Sequence, residues 1–132
     1  HLSKLCAPYM KEAGSGNIVN IASVLGLVGS APIKQAHYCA SKGAVINLTR
    51  ELGMQWARRG IRVNALCPGW FPSEMTEGME DETSMGFLRS NSPLPRMGEL
   101  HELDGALLLL ASDAASFMIG QHVVVDGGWT AR

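Results

Sequence analysis

The chain has 132 residues, 46% hydrophobic and 17% charged, with a formal net charge of −1; that is the make-up of one globular domain with a real core, not of a disordered tail. No basic patch or long charge run appears, so nucleic acid and anionic membrane are poor candidates for partners. The longest apolar run, residues 105–111, is far too short to span a bilayer.

The chain opens at His1 inside a helical pattern, with no initiator methionine and no signal peptide. It is therefore expected to be the C-terminal part of a longer protein. Residues 2–13 read as a helix stopped by Gly14-Ser15-Gly16 and weakened by Pro8. Residues 18–22, mostly β-branched, read as a short strand whose near-continuous apolar character suits a parallel strand covered on both faces. A glycine-containing loop follows over residues 24–35. A long helix is predicted over 38–58, with Ala40, Ala44, Leu48, Leu52 and Trp56 recurring every four residues. It contains Asn47-Leu48-Thr49, a glycosylation-type triplet that carries no weight inside a helix. Gly60 ends the helix, and residues 61–66 form a second strand stopped by Pro68-Gly69. Residues 70–95 are irregular, with room for a short helix or two. Residues 99–112 read as a helix and 121–126 as a third strand closed by Gly127-Gly128.

Alternation of helices and strands implies an α/β fold with a parallel sheet of three strands and flanking helices. Ligands of such sheets bind beyond the carboxyl ends of the strands. Ser23 and Pro68-Gly69 fall at those ends, and Tyr38 follows shortly after the first. Tyr38 and Lys42, four apart, share one face of a helix. A lysine ammonium there favours the tyrosinate over the neutral phenol, which suits a tyrosine to general acid–base work. Tyr-x-x-x-Lys alone is a common chance pattern; Ser23, fifteen residues upstream, and Pro68-Gly69 give it meaning.

These residues resemble the classical short-chain dehydrogenase/reductase family. The matching segments are Asn20-Ile21-Ala22-Ser23, Tyr38-Cys39-Ala40-Ser41-Lys42 and Arg62-Val63-Asn64-Ala65-Leu66-Cys67-Pro68-Gly69. Leu110-Ala111-Ser112-Asp113 and Gly120-Gln121-His122-Val123-Val124-Val125-Asp126-Gly127-Gly128 complete them. The resemblance spans almost the whole chain, and Asp126-Gly127-Gly128-Trp129 looks like the end of such a protein. It implies that residues 1–132 are the C-terminal portion of a doubly wound, Rossmann-like NAD(P)-binding domain whose glycine-rich N-terminal half is absent. It implies catalytic roles for Ser23, Tyr38 and Lys42, with Ser23 and Tyr38 also contacting the substrate oxygen. Tyr38, Lys42, Pro68, Gly69, the Phe71 backbone and Ser73 would then line NAD or NADP. The family's fourth catalytic group, an asparagine, would fall upstream of His1; Asn20 belongs to the strand motif and is not it.

The activity implied is interconversion of a secondary alcohol and a ketone, as in a 3-oxoacyl thioester reductase or a sugar or polyol dehydrogenase. The isolated chain is expected to be inactive. The alternative is a non-catalytic, truncated relative that only binds a partner or oligomerises. A methyltransferase-like Rossmann protein leaves Ser23, Tyr38 and Lys42 unexplained. Trp70, Phe71, Met75, Met79, Met85 and Phe87 could form a substrate-covering lid or ordinary core. The run Leu107 to Leu110 is more apolar than a one-sided helix needs, as extra core or as an oligomer contact; the last helix and strand are a usual oligomer surface in the family, so the resemblance implies a homodimer or homotetramer. Cys6, Cys39 and Cys67 have no metal-ligand spacing and no even disulfide count, so they read as reduced thiols of a cytoplasmic protein, Cys39 and Cys67 as small buried hydrophobes. His1, His37, His101 and His122 share no ligand spacing, and no metal site is expected.

Overall fold

The computed structural model describes residues 1–78 and 81–131. The chain runs α1 (Leu2–Ala13), β1 (Gly16–Ile21), a 3-10 turn (Val24–Gly26), α2 (Ala36–Trp56), β2 (Ile61–Pro68), a 3-10 turn (Glu74–Thr76), α3 (Glu82–Asn91), α4 (Asp104–Ala111) and β3 (His122–Val125). A further 3-10 turn, Leu100–Leu103, leads into α4, so the predicted helix over 99–112 is α-helical only in its second part. The three strands form one sheet in the order β1-β2-β3, with both pairings parallel.

The core sits on the central strand. Ile61, Val63, Ala65, Leu66 and Cys67 of β2 are all buried, because β2 has a neighbour on each side and helices above and below. β1 behaves differently. It lies at the sheet edge, where its residues are half-buried and Ile21 is 53% exposed, although α1, α2 and α4 pack against it.

Polar groups pin the connections. Fully buried Asn64 donates to the Met118 carbonyl at 2.8 Å and accepts from the Gln121 N–H at 3.0 Å, which fixes the approach to β3. The Arg62 guanidinium donates to the carbonyls of Leu110 and Ser112, at the C-terminal end of α4, and of Ala115 in the turn that follows. Asn20 donates to the Thr49 hydroxyl at 2.9 Å and ties β1 to α2.

α2 does not pack by its apolar stripe. Ala40, Ala44 and Leu48 are exposed, whereas the buried residues are Ile46, Thr49 and Gly53. The reason is distance: a Cβ on Gly53 would lie 2.8 Å from the Gly120 backbone nitrogen. Glycine at 53 allows this approach to the segment leading into β3, while Ile46 packs on Ala22, Ala65 and Cys67. The same division appears on α4, where Leu110 is fully buried while Leu107, Leu108 and Leu109 are exposed. None of the described helices is long and apolar enough to cross a membrane.

Asp126 closes β3 by accepting from the Gly128 N–H at 2.9 Å, the Thr130 N–H at 2.8 Å and the Thr130 hydroxyl at 2.7 Å. Burial pushes its carboxyl up, but these hydrogen bonds outweigh burial and hold it below its ordinary value. A lowered native value means stability that is present above about pH 4, the unfolded aspartate value, and lost as pH falls through the native one. Asp126→Asn is expected to cost about 1–3 kcal/mol at pH 7 by urea denaturation. That gap should shrink as pH drops below about 4; a gap of constant size down to acid would contradict the assignment.

Candidate functional site

The carboxyl ends of β1 and β2 open on a cavity of about 350 Å³, within the ~300–1,000 Å³ typical of small-molecule sites. Ser23, Tyr38, Lys42, Pro68, Gly69, Phe71 and Ser73 all line it. Residues read from separate stretches of sequence are therefore brought together, as the parallel-sheet argument requires.

Each is positioned by its own element. Ser23 follows β1 in an extended conformation and caps the 3-10 turn, its Oγ accepting from the Leu25 N–H at 3.1 Å. It is buried, and among the described residues its hydroxyl donates to no partner. The proton remains available to an oxygen in the cavity. Tyr38 and Lys42 lie on the first turns of α2. The Lys42 ammonium donates to the Ile21 carbonyl at 3.0 Å and stands 5.6 Å from the Tyr38 ring centroid. This places a fixed positive charge between the end of β1 and the phenol ring.

Gly26, three residues after Ser23, is a feature that reading the sequence missed. A Cβ there would lie 2.7 Å from the Lys42 carbonyl carbon. Only glycine lets the Ser23 turn seat against α2. In the sequence this residue is one glycine among several in a loop, and nothing local marks it as a contact.

On the other wall, the Gly69 N–H donates to the Val125 carbonyl at 2.9 Å, and a Cβ on Gly69 would lie 2.8 Å from Asp126 Cα. Ser73 begins the 3-10 turn Glu74–Thr76; its N–H donates to the Thr76 hydroxyl at 2.7 Å, and the two hydroxyls lie 3.3 Å apart. Cys67 is fully buried under this wall, where burial pushes its thiol up, so it serves as a small hydrophobe.

The lid segment divides. Trp70, Phe71 and Met75 line the cavity, and Met75 is 71% exposed. Met85 and Phe87 pack instead with Val24, Leu25, Leu88 and Trp129. Trp70 meets the Trp129 ring edge-on at 5.5 Å. Met79 lies outside the described residues. Among the described residues no group of three His, Cys, Asp or Glu side chains is placed to hold a metal.

A sequence model of the family described as "Enoyl-(Acyl carrier protein) reductase" matches residues 1–130. The chain belongs to the short-chain dehydrogenase/reductase family. Within it, the chain is 44% identical over 122 residues to a galactitol 2-dehydrogenase (L-tagatose-forming) of Cereibacter sphaeroides, covering 92% of this chain and 48% of that protein. It is 40% identical over 128 residues to a 3-oxoacyl-acyl-carrier-protein reductase of Haemophilus influenzae, covering 97% and 52%. A crystal structure of a gluconate 5-dehydrogenase from Burkholderia cenocepacia, in complex with NADP and tartrate, superposes with a TM-score of 0.92 at 39% identity, covering 98% of this chain and 51% of that one. The chain spans about half the length of the curated relatives it matches.

Gly26→Ala is expected to destabilise the protein by about 1–3 kcal/mol, the usual cost of overpacking, and to shift the amide resonances of both Ser23 and Tyr38. Gly29→Ala, where a Cβ would meet nothing within 4 Å, is the control and should stay within about 0.5 kcal/mol. Equal effects of the two substitutions would contradict the role given to Gly26.

Proposed function

We propose that this chain carries the catalytic part of an NAD(P)-dependent oxidoreductase that interconverts a secondary alcohol and a ketone. Residues 1–132 are, in this reading, the C-terminal part of one dinucleotide-binding domain whose phosphate-binding glycine loop lies in a preceding segment. What supports it is that Ser23, Tyr38 and Lys42, from three stretches of chain, share one cavity with Pro68-Gly69 at the carboxyl ends of two parallel strands. The relatives named above include both polyol and 3-oxoacyl enzymes, and both kinds use the same carbonyl chemistry.

Ser23 accepts from the Leu25 N–H with one lone pair and donates its proton to the substrate oxygen. Tyr38 delivers a proton to that oxygen in reduction and removes it in oxidation. Lys42 holds a positive charge 5.6 Å from the Tyr38 ring centroid. An ammonium has three donors and Ile21 takes one, which leaves two for the paired hydroxyls of a nicotinamide ribose. Pro68, Gly69, the Phe71 backbone and Ser73 form the wall that would receive the nicotinamide, and the donor set present fits that half of the cofactor. The bound nicotinamide supplies the hydride.

The finer features of the protein follow the same reading. The exposed row Leu107, Leu108 and Leu109 suits assembly as a homodimer or homotetramer. The free thiols of Cys6, Cys39 and Cys67 suit the cytoplasm.

In the full-length enzyme, Tyr38→Phe is expected to lower kcat/KM by about 10²–10⁴-fold and Ser23→Ala by about 10²–10³-fold, in NAD(P)H-linked turnover of ketones. The isolated 132-residue chain should show no turnover. Activity indifferent to Tyr38→Phe, or robust activity of the isolated chain, would contradict the reading.

A further inference from the structure

We infer that the cavity selects a neutral ketone bearing an apolar substituent, in preference to an aldonate or a polyol-derived keto sugar; this rests on the oxidoreductase reading above. The argument lies in what surrounds the Ser23 and Tyr38 hydroxyls. Val24 and Leu25 follow Ser23 directly, and Met75, Leu100 and Leu103 close the opposite side, all of them lining the cavity. Among the described residues the only charged side chain lining it is Lys42, which gives one donor to the Ile21 carbonyl and, in the reading above, its other two to the nicotinamide ribose.

The cation of the neighbouring cavity offers no substitute. Arg96 lines a separate, adjoining cavity, and both of its terminal nitrogens are held at 2.8 Å by the two carboxylate oxygens of Glu102. A substrate carboxylate brought against Val24, Leu25 and Leu103 would lose its water and gain no counter-charge. A polyol meets a related obstacle. Ser73 and Thr76 are engaged with each other in their turn, which leaves, among the described residues, Gln35 and the unpartnered Trp70 indole N–H as the further polar side-chain groups for a second hydroxyl. Several substrate hydroxyls would be buried without partners, and sites discriminate strongly on that ground. An alicyclic or aryl-alkyl ketone places its carbonyl at Ser23 and Tyr38 and its hydrocarbon against the apolar wall, at no such cost.

The test is a comparison of kcat/KM for the full-length enzyme with NADH and with NADPH on four probes: 4-methylcyclohexanone, acetophenone, 5-keto-D-gluconate and D-fructose. The two apolar ketones are expected to be favoured by on the order of 100-fold over the other two. Met75→Arg places a cation at the rim, where the side chain is 71% exposed and the core is undisturbed. It is expected to narrow the gap by raising kcat/KM for 5-keto-D-gluconate about tenfold while fructose, which is uncharged, changes little. Wild-type turnover of 5-keto-D-gluconate or fructose that equals or exceeds that of the apolar ketones overturns the inference and leaves the oxidoreductase reading standing. No reduction of any carbonyl probe with either cofactor overturns both.

Discussion

The site depends on how closely α2 lies against the carboxyl ends of β1 and β2. Tyr38 and Lys42 are carried by the helix, Ser23 by the strand end, and they share a cavity because almost nothing stands between the two elements. Gly26 lets the Ser23 turn sit on the Lys42 backbone, and Gly53 lets the far end of α2 meet Gly120. Ile46 and Thr49 fill the middle of that contact. The Lys42–Ile21 hydrogen bond then ties helix to strand end at the point where charge is needed. Packing and chemistry are one arrangement here: the contact that anchors the helix also aims the ammonium.

Much of this was legible in the sequence, and the reasons are local. α1 is found at the boundaries its glycine stop implied, and β2 extends the predicted strand only as far as Pro68. The strand-end positions of Ser23 and Pro68-Gly69 followed from turn chemistry and from the rule that parallel sheets bind ligands at their carboxyl ends. What misled was periodicity on α2. Ala40, Ala44, Leu48, Leu52 and Trp56 make a clear apolar row, yet Ile46, Thr49 and Gly53 make the buried face. Hydrophobicity marks a surface that could be buried; it does not say against what. The buried face joins one large apolar residue, Ile46, to Thr49 and Gly53, a mixed pattern that a hydrophobic profile does not register. Gly26 was missed for the same reason, since its requirement is a tertiary contact sixteen residues away. The lid residues also divide only in three dimensions, with Met75 on the cavity and Met85 and Phe87 in the core.

The sheet edge carries the other half of the argument. β1 is half-buried where β2 is mostly buried, and Ile21 stands open beside the carbonyl that Lys42 binds. An open, regular strand edge is a surface that proteins normally cover or pair. The chain matches about half of each relative's length, and a parallel neighbour for β1 would both complete the sheet and wall the cofactor side of the cavity. The charge distribution agrees with that division of labour. Among the described residues Lys42 is the one charged side chain on the wall built by this chain, so that wall suits the nicotinamide and the reacting carbonyl, while the phosphates of a dinucleotide require donors from elsewhere.

The central claim is that the cavity shared by Ser23, Tyr38 and Lys42 is where a carbonyl oxygen is held and protonated. The most direct measurement is a crystal structure of the full-length enzyme with a nicotinamide cofactor and an unreactive alcohol. The account predicts the alcohol oxygen within about 3 Å of both Ser23 Oγ and the Tyr38 hydroxyl, with the ribose hydroxyls on Lys42. An alcohol bound away from those two hydroxyls, or a cofactor that leaves Lys42 untouched, would contradict it.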